Sequence, residues 1–157
     1  HVLSPHPPPR YHPDCRPRAN WSMDLVSQGG DKAKSWYAAD VQCLNSQMKE
    51  ALDHILATDK SDPIIILQGD HGFIFGDSGI APFTEWSAEH VEQSLAILNA
   101  IRLPKACRKH LYPEISPVNT FRLVLSCIEE RKPNLLPDKS YLAGWSKRQL
   151  IRVFHEK

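Results

Sequence analysis

The sequence lacks several features that would assign it to a common class of protein. No apolar stretch approaches the roughly 18 residues that a membrane-spanning helix needs. The net charge is only +1, so nothing in the composition suggests a nucleic-acid partner. The four cysteines, Cys15, Cys43, Cys107 and Cys127, form no CxxC pair, which argues against a zinc ribbon or a thioredoxin-type motif. Their wide spacing leaves disulfide bonds open.

Targeting signals are absent as well. The sequence shows no signal peptide and no transmembrane segment, and it begins with His1 rather than Met. We therefore expect a piece of a longer polypeptide. Its 157 residues are enough for one domain with a core. The predicted organisation is a single domain with a loop-rich entry (1–34), a helix-strand core (35–128) and a tail (129–157).

The sequence is, in contrast, rich in proline and histidine. Many of the thirteen prolines lie in the first seventeen residues, where they limit regular structure because proline fixes φ and removes a backbone donor. We predict that a strand tail ends before Pro5 and that residues 10–34 form a long surface loop. The eight histidines matter because neutral imidazole is a common metal ligand.

The middle of the chain carries the clearest periodicity. Apolar residues at three- and four-residue intervals predict a helix from Ser35 to Ala57. The β-branched run Ile64–Leu67, bounded by turn residues, is typical of a strand buried on both faces. A helix, a short turn and a buried strand form half of a βαβ unit, so we expect a parallel or mostly parallel sheet with helices on its faces. The helix face comprises Tyr37, Val41, Leu44, Met48, Ala51, Leu52 and Ile55.

Two further elements are predicted beyond a loop that spans Gly72 to Trp86. The apolar segment Ser94–Leu103 is interpreted as a second strand, ended by Pro104. Ser116-Pro117 is typical of a helix start, because serine caps free amides and proline fits the first turn. Pro133 is expected to end this helix, and the residues from Asn134 carry no prediction. Its predicted buried face comprises Val118, Phe121, Val124, Leu125 and Ile128.

Asp70 and His71 are the leading candidates for chemistry. They follow the buried run directly, and open α/β sheets bind ligands beyond the carboxyl ends of their strands. Gly69 and Gly72 give the backbone room to turn, so that both side chains can face one metal ion. A carboxylate with an imidazole suits Zn²⁺ or Mn²⁺ better than an ion that binds oxygen alone. The competing interpretation is that Asp-His-Gly is only a turn, since a catalytic zinc needs about three protein ligands.

The other candidates carry weaker signals. His6 lies in a proline-rich segment and is either a ligand or donor for an anionic substrate or an exposed loop histidine. Spacing does not choose among further residues that could approach the site. The basic run Cys107–His110 is predicted to be a solvated turn rather than a phosphate clamp. The undecided residues are His1, His12, Asp14, Asp77 and His90.

Several segments resemble one known family. The chain is similar, in order from His1 to about Ser140, to the membrane-linked sulfatase-like proteins of the alkaline phosphatase superfamily. The matching segments are Leu3–Pro8 (LSPHPP), Leu44-Asn45 in the predicted helix, Pro63–Gly72 (PIIILQGDHG), Ile97–Pro104 (ILNAIRLP) and Leu111–Arg122 (LYPEISPVNTFR).

The resemblance implies a fold, a chemistry and a location. The implied fold class is α/β, a partly complete alkaline-phosphatase-like sheet sandwiched between helices. Members of the superfamily cleave or transfer sulfate or phosphate esters by using a bound metal and a Ser, Thr or modified Cys nucleophile. Asp70 and His71 correspond to metal ligands for Zn²⁺, Mn²⁺ or Ca²⁺, and His6 to a substrate-side histidine. The implied parent protein is extracytoplasmic and membrane-attached.

The chain departs from the family pattern in ways that shape the prediction. The nucleophile and the first acidic metal ligand lie upstream of the matched part, and Lys105 stands where the family has glycine. We therefore expect the C-terminal part of a sulfatase-like hydrolase or transferase domain, inactive alone and completed by the missing N-terminal part. The expected substrate is a small anionic ester or a lipid-linked one. The alternatives are a non-catalytic binding module and an unrelated α/β domain.

Overall fold

A computed structural model of the chain describes residues 5–20, 30–75, 85–143 and 150–153. It divides into two units, one comprising residues 1–58 and 74–81 and the other residues 59–73 and 82–157. The architecture mixes helices and strands. In chain order the elements are α1 (Gly30–Thr58), β1 (Ile65–Gln68), α2 (Ala88–Leu95), β2 (Asn99–Arg102), a 3-10 turn (Arg108–His110), α3 (Pro117–Ile128), β3 (Ser140–Ala143) and β4 (Leu150–Val153).

Helix α1 dominates the first unit and confirms the predicted helix, although it begins at Gly30 rather than Ser35. Its N-terminal half buries Ala33, Ala39, Asp40 and Cys43. Of the predicted apolar face, most side chains are half-buried, whereas Ala51 and Ile55 are exposed. The helix therefore packs mainly through small residues near its start.

A short hairpin-like segment is fastened to this buried part of α1. Tyr11 and Pro17 form an isolated β-bridge, and the Cys15–Cys43 disulfide joins the segment to the helix. The fully buried Asp40 carboxylate accepts hydrogen bonds from the N–H groups of Arg10 at 3.1 Å and Tyr11 at 2.8 Å. These bonds offset the cost of burying a carboxylate. Residues 10–20 are therefore an ordered loop, whereas 21–29 lie outside the described residues.

The sheet of the second unit differs from the predicted parallel arrangement. Strand β1 pairs with β2 in antiparallel register, with Ile66 opposite Ile101 and Gln68 opposite Asn99. All four residues of β1 are half-buried rather than buried on both faces. The apolar run correctly predicted the strand, but an apolar run does not specify the direction of the partner strand. In the described residues the partner is the next strand along the chain, β2.

The predicted strand Ser94–Leu103 is only partly correct. Helix α2 extends to Leu95, and the strand begins at Asn99. Ser87 caps α2, because its hydroxyl accepts from the His90 N–H while the His90 ring accepts from the Ser87 N–H. This reciprocal cap stabilises a short helix that hydrophobic periodicity alone did not identify.

Helix α3 begins where predicted, with Ser116 before it and Pro117 in its first turn. Its predicted buried face is wrong, except for Val124. The inward side instead carries Asn119, Thr120, Leu123, Val124 and Ser126. A polar contact explains this orientation of α3. Gln68 of β1 donates to the Thr120 hydroxyl at 3.2 Å, so this side of the helix faces the sheet. The large apolar residues Val118, Phe121, Leu125 and Ile128 are therefore exposed.

The end of α3 comes before the predicted stop at Pro133. The helix ends at Ile128, and the chain reverses through Glu130, whose φ is 51°. The Glu130 N–H donates to the Cys127 carbonyl and the Arg131 N–H to the Ser126 carbonyl, the two bonds of a Schellman motif. Helix α3 is also joined to the preceding loop by the Cys107–Cys127 disulfide.

The residues from Asn134 onward, which carried no prediction, include an antiparallel pair. Strands β3 and β4 pair with Ser140 opposite Val153 and Ala143 opposite Leu150. Within the described part of the chain, no helix is both long enough and apolar enough to cross a membrane.

Candidate functional site

The exit of β1 is held in place by main-chain contacts rather than by side chains. The Gly69 N–H donates to the Leu98 carbonyl, and the Gly72 N–H donates to the Ser94 carbonyl, each at 2.8 Å. A Cβ at position 72 would lie 1.9 Å from the Gln93 carbonyl oxygen, a distance no side chain tolerates. Gly72 is therefore needed for close approach to the end of α2. Together these contacts fix the backbone on both sides of Asp70-His71.

Asp70 and His71 project from this turn into solvent. Their side chains are 75% and 64% exposed, and Asp70 Oδ1 lies 3.9 Å from His71 Nε2. His71 Nδ1 lies 2.7 Å from the Gly72 carbonyl oxygen. Because a carbonyl oxygen only accepts hydrogen bonds, this contact places a proton on Nδ1, so in the neutral ring Nε2 carries the lone pair.

This arrangement suits two ligands of one ion. Metal-binding histidines usually donate their second ring N–H to a carboxylate or a backbone carbonyl, as His71 does here. Two donors on a tetrahedral ion with bonds near 2.1 Å stand about 3.4 Å apart. The observed 3.9 Å between Asp70 Oδ1 and His71 Nε2 is close to this separation. The two donors therefore lie near the spacing of two of the four ligands of a tetrahedral zinc ion.

The pair falls short of a complete site. Across residues 5–20, 30–75, 85–143 and 150–153, no three His, Cys, Asp or Glu side chains gather as potential metal ligands. A catalytic zinc has about three protein ligands and an open position. Any third ligand for Asp70 and His71 would have to come from other residues.

His6, the predicted substrate-side histidine, lies in the first unit and is exposed. Its Nδ1 lies 2.8 Å from the Pro7 carbonyl oxygen, so Nδ1 donates to that carbonyl. The contact orients the ring in a segment that proline already restricts. Its role towards a substrate stays a prediction.

The structure places the undecided candidates as follows. His90 serves in the cap of α2. His12 and Asp14 belong to the short loop of the first unit, where the Asp14 carboxylate bonds Arg16. The Cys107–His110 run is a turn, as predicted, but Arg108 binds Asp62 rather than only solvent. His1 and Asp77 lie outside the described residues.

Sequence patterns did not identify the polar centre at the other end of β1. Asp62 accepts from Arg102 at 2.6 Å, from the Lys105 N–H at 2.7 Å and from Arg108 at 3.3 Å. The Lys105 hydrogen bond and the two guanidinium groups hold the pKa of Asp62 below its usual value, although partial burial opposes them. Its φ of 58° also signals a special position. In the sequence, Asp62 was only one polar residue of a break before the strand.

A second carboxylate was missed at the start of α3. Asp138 accepts hydrogen bonds from the N–H and hydroxyl of Ser116, from Tyr112 and from Asn119. Burial acts to raise the pKa of Asp138, but these hydrogen bonds outweigh it and lower the pKa. The Ser116 side chain therefore does not cap α3, contrary to the prediction, because its hydroxyl donates to Asp138. The partners of Asp138 are separated in sequence, so no local motif shows the cluster.

Comparison with known proteins gives no match. No protein-family model, no curated protein and no solved structure is similar to the chain at a significant level. The geometry around Asp70 and His71 therefore carries the functional argument, together with the sequence segments described above.

Proposed function

We propose that the chain is the C-terminal part of a metal-dependent, sulfatase-like domain that cleaves or transfers sulfate or phosphate esters. The observation that carries this proposal is the pair of donors at the exit of β1. Asp70 Oδ1 and His71 Nε2 stand 3.9 Å apart on a turn fixed by Gly69 and Gly72. The order of the family-like segments supports the same assignment, including the finer expectation of a partly complete alkaline-phosphatase-like sheet.

The residues of this chain would act by binding and orienting. Asp70 and His71 would hold a divalent ion, Zn²⁺, Mn²⁺ or Ca²⁺, and the His71 contact to Gly72 would keep the ring in position. The ion, when bound, would neutralise developing negative charge and lower the pKa of a nucleophile. The family resemblance assigns His6 to the substrate side, where it would interact with the anionic ester. The nucleophile would come from the missing N-terminal part of the same domain.

The two disulfides bear on the location of the parent protein. Disulfides persist in oxidising surroundings and are rare in the reducing cytosol. The Cys15–Cys43 and Cys107–Cys127 bonds therefore support an extracytoplasmic parent protein, and its membrane attachment rests on the family resemblance alone. Such a location fits a small anionic ester or a lipid-linked ester as the substrate.

Metal titration of the chain tests this proposal. We expect Zn²⁺ or Mn²⁺ to bind weakly to the chain, because the described residues supply two candidate ligands, Asp70 and His71, and not three. Binding should be lost in Asp70→Ala/His71→Ala. The matched control is His54→Ala, since His54 is an exposed histidine on α1. The same affinity in the Asp70/His71 double variant and in the unchanged chain would refute the proposal.

A non-catalytic binding module is the second candidate. The observation that favours it is the two-donor pair, which in the described residues has no third ligand. An assay with aryl sulfate and aryl phosphate esters on the chain alone is expected to show no turnover under either proposal. In the intact parent protein, ester cleavage that depends on Asp70 would favour the enzyme, and metal binding with no cleavage would favour the module.

A further inference from the structure

The outward side of α3 borders an open cavity of about 360 Å³, which lies between the helix and the chain segment that follows it. Its apolar walls are formed by Val118, Phe121 and Leu125, each of which is about half exposed. Because the Thr120 side of α3 faces the sheet, the cavity lies on the other side of the helix. Small-molecule sites are clefts of about this size whose walls are mostly apolar, with a few polar groups that orient the ligand. The polar groups of the cavity therefore decide which ligand it suits.

One positive charge at the cavity has no negative partner. The Arg122 guanidinium donates to the Asn134 carbonyl oxygen at 3.0 Å, and in the described ranges of the chain no Asp or Glu side chain pairs with it. Arg131, the second arginine of the cavity wall, differs because its guanidinium pairs with the Glu129 carboxylate. The Arg122 guanidinium has five N–H groups, so those not used for Asn134 can bind two oxygens of a ligand. A single uncompensated positive charge beside apolar walls suits a ligand with one negative charge and an apolar part.

The Ser126 hydroxyl is a second polar group at this cavity. Ser126 belongs to the cavity wall and is only 2% exposed, and its Oγ has no hydrogen-bond partner among the described residues. A serine within a helix can donate to the carbonyl four residues before it, which here belongs to Arg122, but Ser126 does not. A buried hydroxyl without a partner costs free energy and is rare in native proteins. Arg122 and Ser126 are four residues apart and are therefore neighbours on one side of α3, so one anionic group can accept from both.

We propose that this cavity binds a small amphiphilic monoanion, namely a medium-chain carboxylate. The planar carboxylate accepts two N–H bonds from the Arg122 guanidinium and one bond from the Ser126 hydroxyl. The alkyl chain lies against Phe121 and Leu125, which removes apolar surface from water. A phosphate monoester fits less well, because it carries about 1.5 to 2 negative charges at neutral pH and the cavity offers one uncompensated positive charge. This site is independent of metal binding at the exit of β1.

NMR titration of the full chain with octanoate tests this proposal, because amide chemical shifts report both the position and the affinity of the ligand. We expect saturable shifts centred on residues 118–134, with one octanoate bound per chain. Octanol has the same alkyl chain without the charge, and it should bind about tenfold more weakly because it lacks the charge-assisted hydrogen bonds to Arg122. Acetate has the charge without the alkyl chain and should give no saturable shifts over the same concentration range.

Three variants assign the roles of the polar groups. Arg122→Gln keeps a donor for the Asn134 carbonyl but removes the charge, so it should abolish the preference for octanoate over octanol. Arg131→Gln is the matched control and should keep that preference, because Glu129 already neutralises Arg131. Ser126→Ala should weaken octanoate binding about fivefold. Its urea midpoint without ligand should be unchanged or raised, because the hydroxyl it removes has no partner in the described structure. A purely structural role for Ser126 would lower that midpoint instead.

The outcomes decide the proposal in either direction. Equal affinities of octanoate and octanol for the unchanged chain would overturn it, and so would shifts centred away from α3 or an octanoate preference that survives Arg122→Gln. Self-association of the chain that Phe121→Ala abolishes would also overturn it, since a second copy then covers the cavity. Circular dichroism checks that each variant is folded. If Arg122→Gln does not fold, the comparison of octanoate with octanol on the unchanged chain decides alone.

Discussion

An aspartate lies near each end of β1, and the two carboxylates have opposite surroundings. Before the strand, Asp62 is bound by two arginines and a backbone amide. After the strand, the Asp70 side chain is 75% exposed, and its Oδ1 lies 3.9 Å from His71 Nε2. The first carboxylate holds the loop 104–108 against β1. Asp70 is positioned by its backbone, and its carboxylate is exposed to solvent and accessible to a ligand.

The difference shows how to tell a structural carboxylate from a candidate ligand. A carboxylate whose oxygens already accept three donors has little capacity left for a metal ion. Asp62 is in that condition, and Asp138 at the start of α3 is similar. Asp70 is the opposite case. The comparison predicts that changes before β1 alter stability, whereas changes to the side chains after β1 alter binding.

The largest effect is expected from the disulfide that fastens the loop before α3. Replacing Cys107 and Cys127 by alanine removes a cross-link over 20 residues of sequence, which is worth about 3 kcal/mol of unfolding free energy. Urea denaturation of the double variant measures the loss, and reduction of the unchanged chain should give a larger decrease, because it breaks the Cys15–Cys43 bond as well. An unchanged midpoint in both experiments would contradict the role given to this bond.

The second effect concerns the backbone after β1. Gly72→Ala places a Cβ against the Gln93 carbonyl, nominally at 1.9 Å, and overpacking of this kind costs about 1–3 kcal/mol. Gly69→Ala is the matched control, because its nearest contact would be an ordinary 3.6 Å. Thermal unfolding should separate the two. Equal melting temperatures for the two variants would show that the exit turn is not held as described.

The third prediction concerns how the stabilisation by Asp62, which precedes β1, depends on pH. The Lys105 N–H and the arginines lower the pKa of Asp62 in the folded state. The resulting stabilisation is full above the unfolded-state pKa of about 3.9 and is lost as the pH falls through the folded pKa. The pH series of urea midpoints should therefore fall less steeply in Asp62→Asn. Lys105→Ala keeps the backbone donor, so its acid limb should match that of the unchanged chain.

The smallest effect on stability is expected from the two candidate ligands. Asp70→Asn and His71→Gln alter exposed side chains, and such changes usually stay within about 0.5 kcal/mol. The same variants should nevertheless lose binding in the metal titration. A large loss of stability in either variant would mean that the exit of β1 is a structural centre like that of Asp62.

Local sequence patterns predicted the positions of helices and strands better than they predicted the residues against which these elements pack. The periodicity of α1, the β-branched run of β1 and the Ser116-Pro117 start of α3 each depend on neighbouring residues, and each was correctly located. The inward face of α3 was not, because Asn119 and Thr120 are fixed by Tyr112, Asp138 and Gln68. These partners are distant in sequence. Hydrophobic periodicity therefore selected Phe121 and Leu125, which the structure exposes.

The sequence by itself determined that a strand ends before Gly69 and that Asp70 and His71 follow it in a glycine-flanked turn. Only the tertiary structure decided that β1 pairs antiparallel with β2 and that Asp62 holds the loop before α3. It also showed that Gly72 lies against the end of α2. The physical reason is the separation of the interacting residues along the sequence. Strands and turns form because of neighbouring side chains and local backbone freedom. Pairing direction, close approach and carboxylate neutralisation depend on residues far apart in the sequence, up to 46 positions for Asp62 and Arg108.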